Sequence, residues 1–152
     1  AIIIATGAKI NPKKWDLNNF FEIANLWLQN EGDVVFIGNK EDDIDAKKII
    51  FKINELESCG KIVSENKYYN FCNKTSLEDT VYLIDKGKVM IANDSGPAHL
   101  SSFTQTKVVS IQASLDFKIK WDPYLSKKYV MRSSNINSIK YTQAWDKIME
   151  AA

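Results

Sequence analysis

The sequence is poor in the residues that form disulfides and bind metals. Its 152 residues include two cysteines, Cys59 and Cys72, and a single histidine, His99. Two cysteines do not make a disulfide framework, and together with one histidine they fall short of the usual ligand set of a zinc site. We therefore expect reduced, cytosolic thiols and no metal centre.

The chain also lacks a strong charge, a signal peptide and a membrane-spanning run. The net charge is +1 and no dense basic block occurs, so the charge pattern does not predict a nucleic-acid partner. No apolar run is long enough to cross a bilayer. Hydrophobic residues (45%) and charged residues (26%) are in the proportions of one globular domain. Because Ala1 already lies in a strand-like run, we expect a piece of a longer protein.

What the sequence does contain is a regular alternation of buried strands and amphipathic helices. Apolar, β-branched runs predict strands at 1–6, 34–37, 61–63, 89–92, 107–111 and 129–131. Apolar residues at helical spacing predict helices near 17–30, 42–56, 76–86, 97–103 and 142–152. Several strands are apolar on both faces. This pattern predicts a doubly wound, mostly parallel, Rossmann-like α/β sheet with helices on both sides.

Three local features sharpen this prediction. The second helix carries apolar residues at the spacing of a buried stripe, namely Ile44, Ile49, Ile53 and Leu56. Thr75 and Glu78 have the spacing of a capping box for the helix that begins near Ser76. Residues 64–73 are polar and aromatic and are predicted to form a loop.

Candidate ligand-binding residues follow three of the predicted strands, in segments 6–13, 38–42 and 93–99. In a parallel α/β sheet, ligands bind beyond the carboxyl ends of the strands, where the strand order reverses. We therefore expect these three segments, which are far apart in the chain, to converge on one edge of the sheet.

The third of these segments is a strand end, a tight turn and a helix N-terminus. Asp94 or Ser95 can cap the helix, and Pro97 suits its first turn. In one interpretation, backbone amides near Gly96 and the Ser95 hydroxyl bind a diphosphate. Asp94 would then accept hydrogen bonds from sugar hydroxyls, and His99 would donate one to a phosphate oxygen. An ordinary capped helix with a partly buried histidine fits the pattern equally well.

The other two segments also allow two interpretations each. Thr6 ends the first strand, and Lys13 in the following loop is placed either to neutralise phosphate charge or simply to be solvated. Asp42 follows the second strand and is placed to bind a ribose hydroxyl. An acidic residue at that point also suits the N-terminus of a helix.

A serine hydrolase is the competing enzymatic interpretation of the third segment. Ser95 and His99 are one helical turn apart, and Asp94 adjoins Ser95. No glycine lies two residues before Ser95, so the nucleophile elbow is absent. A histidine one turn along the same helix is also poorly placed to take the serine proton. We therefore set this interpretation aside.

Four motifs in this order resemble glycosyltransferase family 9, the bacterial heptosyltransferases. The most specific is Asn-Asp-Ser-Gly-Pro-Ala-His-Leu at 93–100, which is similar to the family's Asn-Asp-Ser/Thr-Gly-Pro/Leu-x-His-Leu. In chain order, the first of the four motifs is Thr-Gly-Ala at 6–8 followed by Lys-Lys-Trp-Asp at 13–16. The others are Val-Phe-Ile-Gly at 35–38, before an acidic cluster, and Lys-Thr-Ser-Leu at 74–77. Together they span nearly the whole chain.

The resemblance implies that residues 1–152 form the C-terminal, donor-binding domain of a two-domain GT-B glycosyltransferase whose N-terminal acceptor domain lies outside this chain. The implied donor site consists of Thr6, Lys13, Asp42, Asp94, Ser95, Gly96 and His99. Of these, Thr6 and Lys13 are expected at the phosphates. Asp42, with Glu41 as the alternative, is expected at the ribose, and the others at the diphosphate and sugar.

The implied reaction is an inverting, metal-independent transfer of heptose from ADP-heptose to the lipopolysaccharide inner core. No cofactor is implied other than the nucleotide-sugar donor. The general base is expected in the N-terminal domain, so this chain should contain no catalytic residue and be inactive alone. The implied location is the cytoplasm, with at most peripheral association at the inner face of the inner membrane.

Two other functions remain open at this point. One is a GT-B transferase that uses another nucleotide-sugar, and the other is a non-catalytic nucleotide-binding α/β module. The sequence also departs from the family pattern at three places. Asp16 stands where proline is usual, Asn73 where glycine is common, and Gln112-Ala113 where Phe-Gly is frequent.

Overall fold

The computed structural model of the protein describes residues 1–8, 14–114 and 122–152. In chain order, the strands and α-helices are β1 (Ile2–Ala5), α1 (Leu17–Asn30), β2 (Val34–Phe36), α2 (Lys40–Ser58), β3 (Tyr68–Asn70), α3 (Leu77–Lys86), β4 (Val89–Asn93), α4 (Gly96–Leu100), β5 (Val108–Ala113), β6 (Val130–Ser133) and α5 (Tyr141–Ala151). Short 3₁₀ turns cover Ser101–Phe103, Tyr124–Tyr129 and Ile136–Ser138. None of the described helices is both long and apolar enough to cross a membrane.

The strands form one six-stranded sheet in the order β3-β2-β1-β4-β5-β6. Every strand pairing among the described residues is parallel. The order reverses between β1 and β4, which makes the gap beyond their carboxyl ends the topological switch point. The predicted doubly wound α/β fold is therefore confirmed.

The sheet buries side chains on both of its faces. Alternate residues of β1 point to opposite sides, as in any strand. Ile2 and Ile4 share a core cluster with residues of α1, α2 and α5, whereas Ile3 and Ala5 share one with residues of α3 and α4. Each fully buried aliphatic side chain of this size stabilises the fold by about 1.5–3 kcal/mol. These two layers hold the strand ends, and hence the loops that follow them, in fixed positions.

The predicted strand at 61–63 is wrong, and the third strand lies a few residues later, in the segment predicted as a loop. Ile62 is buried, but Val63 is 85% exposed. The strand is β3, whose Tyr69 pairs with Val35 of β2. Because β3 is an edge strand with a single neighbour, its residues are partly exposed and lack the apolar pattern of a central strand.

The predicted buried stripe of α2 is partly wrong. Ile44 is 55% exposed, whereas Ala46, Ile49 and Ile53 are buried. Two carboxylates, Asp42 and Asp45, lie on the buried side of the helix instead. An apolar periodicity cannot identify this face correctly, because acidic residues occupy its first turns.

The capping box of α3 lies one residue later than predicted. The Ser76 hydroxyl accepts a hydrogen bond from the Asp79 backbone N–H at 3.1 Å, and the Asp79 carboxylate accepts one from the Ser76 N–H at 3.4 Å. The Thr75 hydroxyl is hydrogen-bonded to the Thr80 hydroxyl at 2.8 Å. The spacing of the motif is thus correct, but its register is shifted.

Candidate functional site

The three predicted segments meet at the carboxyl edge of the sheet. Ala5 of β1 pairs with Ala92 of β4, so the residues that follow them, Thr6 and Asn93, lie on either side of the switch point. The segment after β2 joins them, because Gly38 and the first turn of α2 adjoin the loop after β1. Lys13, the predicted phosphate ligand in that loop, lies outside the described residues.

Asn93 connects the end of β4, through hydrogen bonds, to the residues on either side of the loop that follows β1. Its side-chain N–H donates to the Thr6 carbonyl at 2.7 Å, and its Oδ1 accepts from the Trp15 backbone N–H at 3.0 Å. The side chain is fully buried. Buried amides of this kind are retained only when their hydrogen bonds are made, so Asn93 fixes the geometry of the loop and is not exposed to a ligand.

Thr6 is buried and bonds to an acidic side chain of α2. Its hydroxyl donates to Asp45 Oδ2 at 3.3 Å, and Lys14 Nζ forms an ion pair with the same oxygen at 2.5 Å. Thr6 is 2% exposed and Asp45 7% exposed. The structure therefore places Thr6 at the predicted edge, with its hydroxyl directed to a carboxylate.

Asp42 is wedged between two glycines at the same edge. A Cβ atom on Gly7 would lie 2.5 Å from Asp42 Oδ1, and one on Gly38 would lie 2.5 Å from Asp42 Cβ. Asp42 Oδ2 accepts a hydrogen bond from the Asn39 backbone N–H at 2.8 Å, which completes the capping box of α2. Burial raises the pKa of the Asp42 carboxyl; the Asn39 bond acts against this, and the charge of Asp45 adds to it. Asp42 is thus both a helix cap and a member of the candidate site.

In the turn between β4 and α4, the Ser95 hydroxyl does not cap the helix. Ser95 occupies the N-cap position in an extended conformation, but its side chain makes no capping hydrogen bond. Its Oγ is buried and has no hydrogen-bond partner among the described residues. The hydroxyl–imidazole bond of a serine hydrolase is therefore not formed in this conformation.

His99 and Asp94 lie together at the mouth of this turn. His99 Nε2 is 3.5 Å from Asp94 Oδ1, and the two side chains are 38% and 27% exposed. The Asp94 backbone N–H donates to the Ile111 carbonyl of β5 at 3.2 Å, which anchors the turn to the sheet. Gly96, which begins α4, is exposed, and a Cβ atom built on it would meet no described atom within 4 Å. The start of α4 thus faces open space beside an imidazole.

The three departures from the family pattern each have a local role. Asp16 caps α1, its carboxylate accepting from the Asn18 N–H at 2.8 Å. Asn73 has a φ of +59°, and asparagine is the residue that best replaces glycine in this left-handed conformation. Gln112 is buried and donates to the Ser110 hydroxyl at 3.1 Å. All three fit the fold.

The neighbourhood of Asp42 includes a thiol but no metal-ligand cluster. Cys72 is buried, and desolvation together with the charges of Asp42 and Asp43 raises its pKa to about 12. In the part of the chain that the structure describes, no group of three or more histidine, cysteine and carboxylate side chains could hold a metal ion. Cys72 is therefore a neutral core residue.

A separate cleft lies at the opposite edge of the sheet. It has a volume of about 560 Å³ and is lined by residues that include Glu57, Val63, Lys67 and Tyr68. The Lys67 carbonyl accepts from the N–H of Val34, the first residue of β2, so this cleft adjoins the amino ends of the strands. It is remote from the predicted segments, which all follow carboxyl ends.

Sequence reasoning did not identify Asp45 as part of the site, and it gave Asn93 and Lys14 no structural role. Asn93 and Lys14 stand inside the motifs, but a motif does not say which side chains face a ligand and which hold the loop. Asp45 belongs to the acidic run of α2. Its contact with the site becomes apparent only from the structure, which shows that it lies on the buried face of that helix.

Comparison with known proteins identifies the family. Residues 1–149 match the family described as "Glycosyltransferase family 9 (heptosyltransferase)". The chain belongs to glycosyltransferase family 9. The match includes all four motifs and the three strand ends that converge on the candidate site.

Curated relatives in this family are bacterial heptosyltransferases. The chain is 29% identical to Lipooligosaccharide heptosyltransferase 2 of Campylobacter jejuni, over 72% of this chain and 35% of that protein. It is 30% identical to Lipopolysaccharide core heptosyltransferase OpsX of Haemophilus influenzae, over 74% of this chain and 30% of that protein. The chain thus spans about a third of the length of these relatives.

Solved structures show the same fold. E. coli ADP-heptose lps heptosyltransferase II superposes with a TM-score of 0.78 at 20% identity, covering 99% of this chain and 45% of that chain. E. coli heptosyltransferase WaaC, solved with ADP-2-deoxy-2-fluoro heptose, gives a TM-score of 0.73 at 14% identity, covering 99% and 43%. The domain therefore corresponds in fold to less than half of each.

Proposed function

We propose that this chain is the donor-binding half of a GT-B glycosyltransferase that transfers heptose from ADP-heptose to the lipopolysaccharide inner core. The observation that carries the proposal is the start of α4. It lies beside the switch point, leaves Gly96 exposed and His99 partly exposed, and is not capped by the Ser95 side chain. Helix starts of this kind present backbone N–H groups to anions.

In this proposal, each predicted residue has a role toward the donor. The amides near Gly96, the Ser95 hydroxyl and the His99 imidazole bind the diphosphate. Lys13 neutralises its charge, and Thr6 contributes from the end of β1. Asp94 accepts hydrogen bonds from the sugar, and Asp42 from the ribose. Adenine is the proposed base because solved relatives are named for ADP-heptose and ADP-2-deoxy-2-fluoro heptose.

The proposed reaction is a single displacement at the anomeric carbon. An acceptor hydroxyl oxygen forms the new bond to that carbon as its bond to the diphosphate oxygen breaks, with inversion. The hydroxyl proton passes to a general base, which we assign to an N-terminal acceptor domain outside this chain. The role of this chain is to orient the donor and to stabilise the negative charge that develops on the departing ADP.

The proposal extends to partners and location. The partners are the nucleotide-sugar donor and, through the other half, the lipopolysaccharide-core acceptor; neither a nucleic acid nor a metal ion is required. We place the protein in the cytoplasm, with at most peripheral attachment to the inner face of the inner membrane, because nucleotide-sugar donors are cytoplasmic metabolites.

Calorimetry with ADP, ADP-sugars and UDP-sugars tests this function. We expect the chain to bind ADP in preference to UDP and to transfer no sugar by itself. His99→Ala should weaken ADP binding about tenfold, because a hydrogen bond to a charged group is lost. Tyr82→Ala is the matched control, since it truncates a ring that is 62% exposed on α3.

Each other outcome favours a named alternative. A preference for UDP would indicate a transferase that uses another nucleotide-sugar. Failure to bind any of these nucleotides would favour a module without transfer chemistry, and sugar transfer by the isolated chain would contradict the proposed division of labour.

A further inference from the structure

The loop between β3 and α3, residues 71–76, lies at the same carboxyl edge as the candidate site. Its Asn73 backbone N–H donates a hydrogen bond to the Gly38 carbonyl at 2.9 Å, so the loop is joined to the segment that follows β2. Gly38 in turn lies against Asp42, since a Cβ atom built on this glycine would be 2.5 Å from Asp42 Cβ. The β3–α3 loop therefore lies beside the carboxylate that is proposed to bind the ribose.

Asn70, the last residue of β3, holds this loop through both polar groups of its side chain. Its Nδ2 donates to Asp43 Oδ1 of α2 at 2.6 Å, and its Oδ1 accepts from the Cys72 backbone N–H at 3.0 Å. Its backbone carbonyl accepts from Lys74 Nζ at 3.0 Å. Hydrogen bonds from Lys47 and from Asn70 lower the pKa of the Asp43 carboxyl, so this acceptor is charged at neutral pH and its bond to Asn70 is strong. Asn70 thus connects α2 to the loop.

We infer that Asn70 is a positioning residue for the nucleoside part of the donor, which acts by holding the β3–α3 loop beside Asp42. The inference rests on the proposed function, in which Asp42 binds the ribose. Asn70 is not assigned a contact with the ligand, because both polar groups of its side chain are bonded within the protein.

The effect of Asn70 on affinity follows from preorganisation. A loop that is held in place before the ligand arrives loses less conformational entropy on binding, so the affinity is higher. Because β3 is an edge strand, pairing with β2 supports the loop from one side, and the bond from Asn70 to Asp43 supports it from α2. Asn73 also has a φ of +59°, a left-handed conformation that this support helps to maintain.

The position of the loop predicts which part of the nucleotide is affected. β3 lies three strand spacings, about 14 Å, from β4, and the diphosphate is proposed to bind at α4, directly after β4. A displaced loop should therefore weaken binding of the nucleoside and leave binding of the diphosphate unchanged. A general loss of structure would weaken both. Comparing ADP with inorganic pyrophosphate separates these two effects.

The test uses Asn70→Ala, which removes the side-chain amide. We expect the Kd for ADP to rise about tenfold, and the Kd for pyrophosphate to change by less than about twofold, in titrations followed by NMR. Asn54→Ala is the matched control, and it should leave both constants unchanged. Asn54 also links α2 to β3, by accepting a hydrogen bond from the Tyr68 hydroxyl, but it does so at the amino end of the strand.

An exchange of the two partners provides a second test, which applies even if Asn70→Ala does not fold. Asn70→Asp alone places two carboxylates against each other and should weaken ADP binding at least as much as alanine does. Combining it with Asp43→Asn exchanges the donor and the acceptor, and the carboxylate at position 70 can still accept from the Cys72 N–H. We expect this double variant to bind ADP within about threefold of the wild-type chain.

Three results would overturn the inference and leave the proposed function standing. These are an unchanged Kd for ADP in Asn70→Ala, an equal loss of affinity for ADP and pyrophosphate, and no recovery in the double variant. Failure of the wild-type chain to bind pyrophosphate while it binds ADP would also overturn it, because the inference requires a separate diphosphate subsite. Absence of ADP binding by the wild-type chain would instead overturn the proposed function, and this inference with it.

Discussion

Replacing Gly38 with alanine is expected to destabilise the folded chain by about 3 kcal/mol, because it combines backbone strain with overpacking. Gly38 has a φ of +148°, a backbone conformation that residues other than glycine rarely adopt. The added methyl group would also lie against the Asp42 carboxylate and 2.5 Å from Asp42 Cβ. Asp42 cannot move away freely, since it is buried and caps α2. Urea denaturation of the two proteins measures the difference.

Gly60→Ala separates the two contributions to this effect. Gly60 also has a positive φ, of +70°, but a Cβ atom there would meet no described atom within 4 Å. It should therefore cost only the left-handed backbone penalty, about 1–2 kcal/mol. If Gly38→Ala is no more destabilising than Gly60→Ala, the result would contradict the close packing of Asp42 between Gly7 and Gly38.

Gly96→Val is expected to weaken ADP binding by about tenfold or more while changing stability by less than about 0.5 kcal/mol. The position is exposed, its φ is not in the left-handed region, and a Cβ atom there meets open space among the described residues. In the proposed complex, that open space holds phosphate oxygens within about 3 Å of the backbone N–H groups. A branched side chain occupies this approach without disturbing the core.

Gly96→Ala provides the graded comparison for this prediction. Its single methyl group should reduce affinity less than valine does, and calorimetry and denaturation on both variants separate binding from folding. An unchanged Kd for ADP in Gly96→Val would mean that the diphosphate does not approach the start of α4. Substitution of Gly38 thus tests the packing that supports the site, whereas substitution of Gly96 tests the space proposed for the ligand.

The central strands and the convergence of the three segments were predictable from the sequence for a simple physical reason. β1 and β4 are buried on both faces, so their residues are apolar except for Asn93 at the end of β4, and the apolar runs are visible in the sequence. Parallel strands then bring their carboxyl ends to one edge, wherever the segments lie in the chain. This logic requires no side-chain detail, and it correctly predicted that Thr6, Asp42 and Asn93 lie at one edge.

The features that were not predictable depend on polar contacts between distant residues. β3 is held by pairing with β2 and not by burial, so its aromatic and polar residues do not show a strand pattern. The buried face of α2 includes Asp45 because its carboxylate is bonded to Thr6 and Lys14, which lie more than thirty positions earlier. Such partners become apparent only when the fold is known.

The most direct test of the account is a titration of the isotope-labelled chain with ADP, followed by amide resonances in NMR spectra. The account predicts that the largest shifts occur at the carboxyl edge of the sheet, at Gly7, Gly38, Ser95 and Gly96, and that they saturate together with one Kd. Residues at the cleft of the amino edge, such as Val63 and Tyr68, should not shift. Shifts confined to that cleft, or no shifts at millimolar ADP, would contradict the claim that this chain binds the donor nucleotide at the switch point.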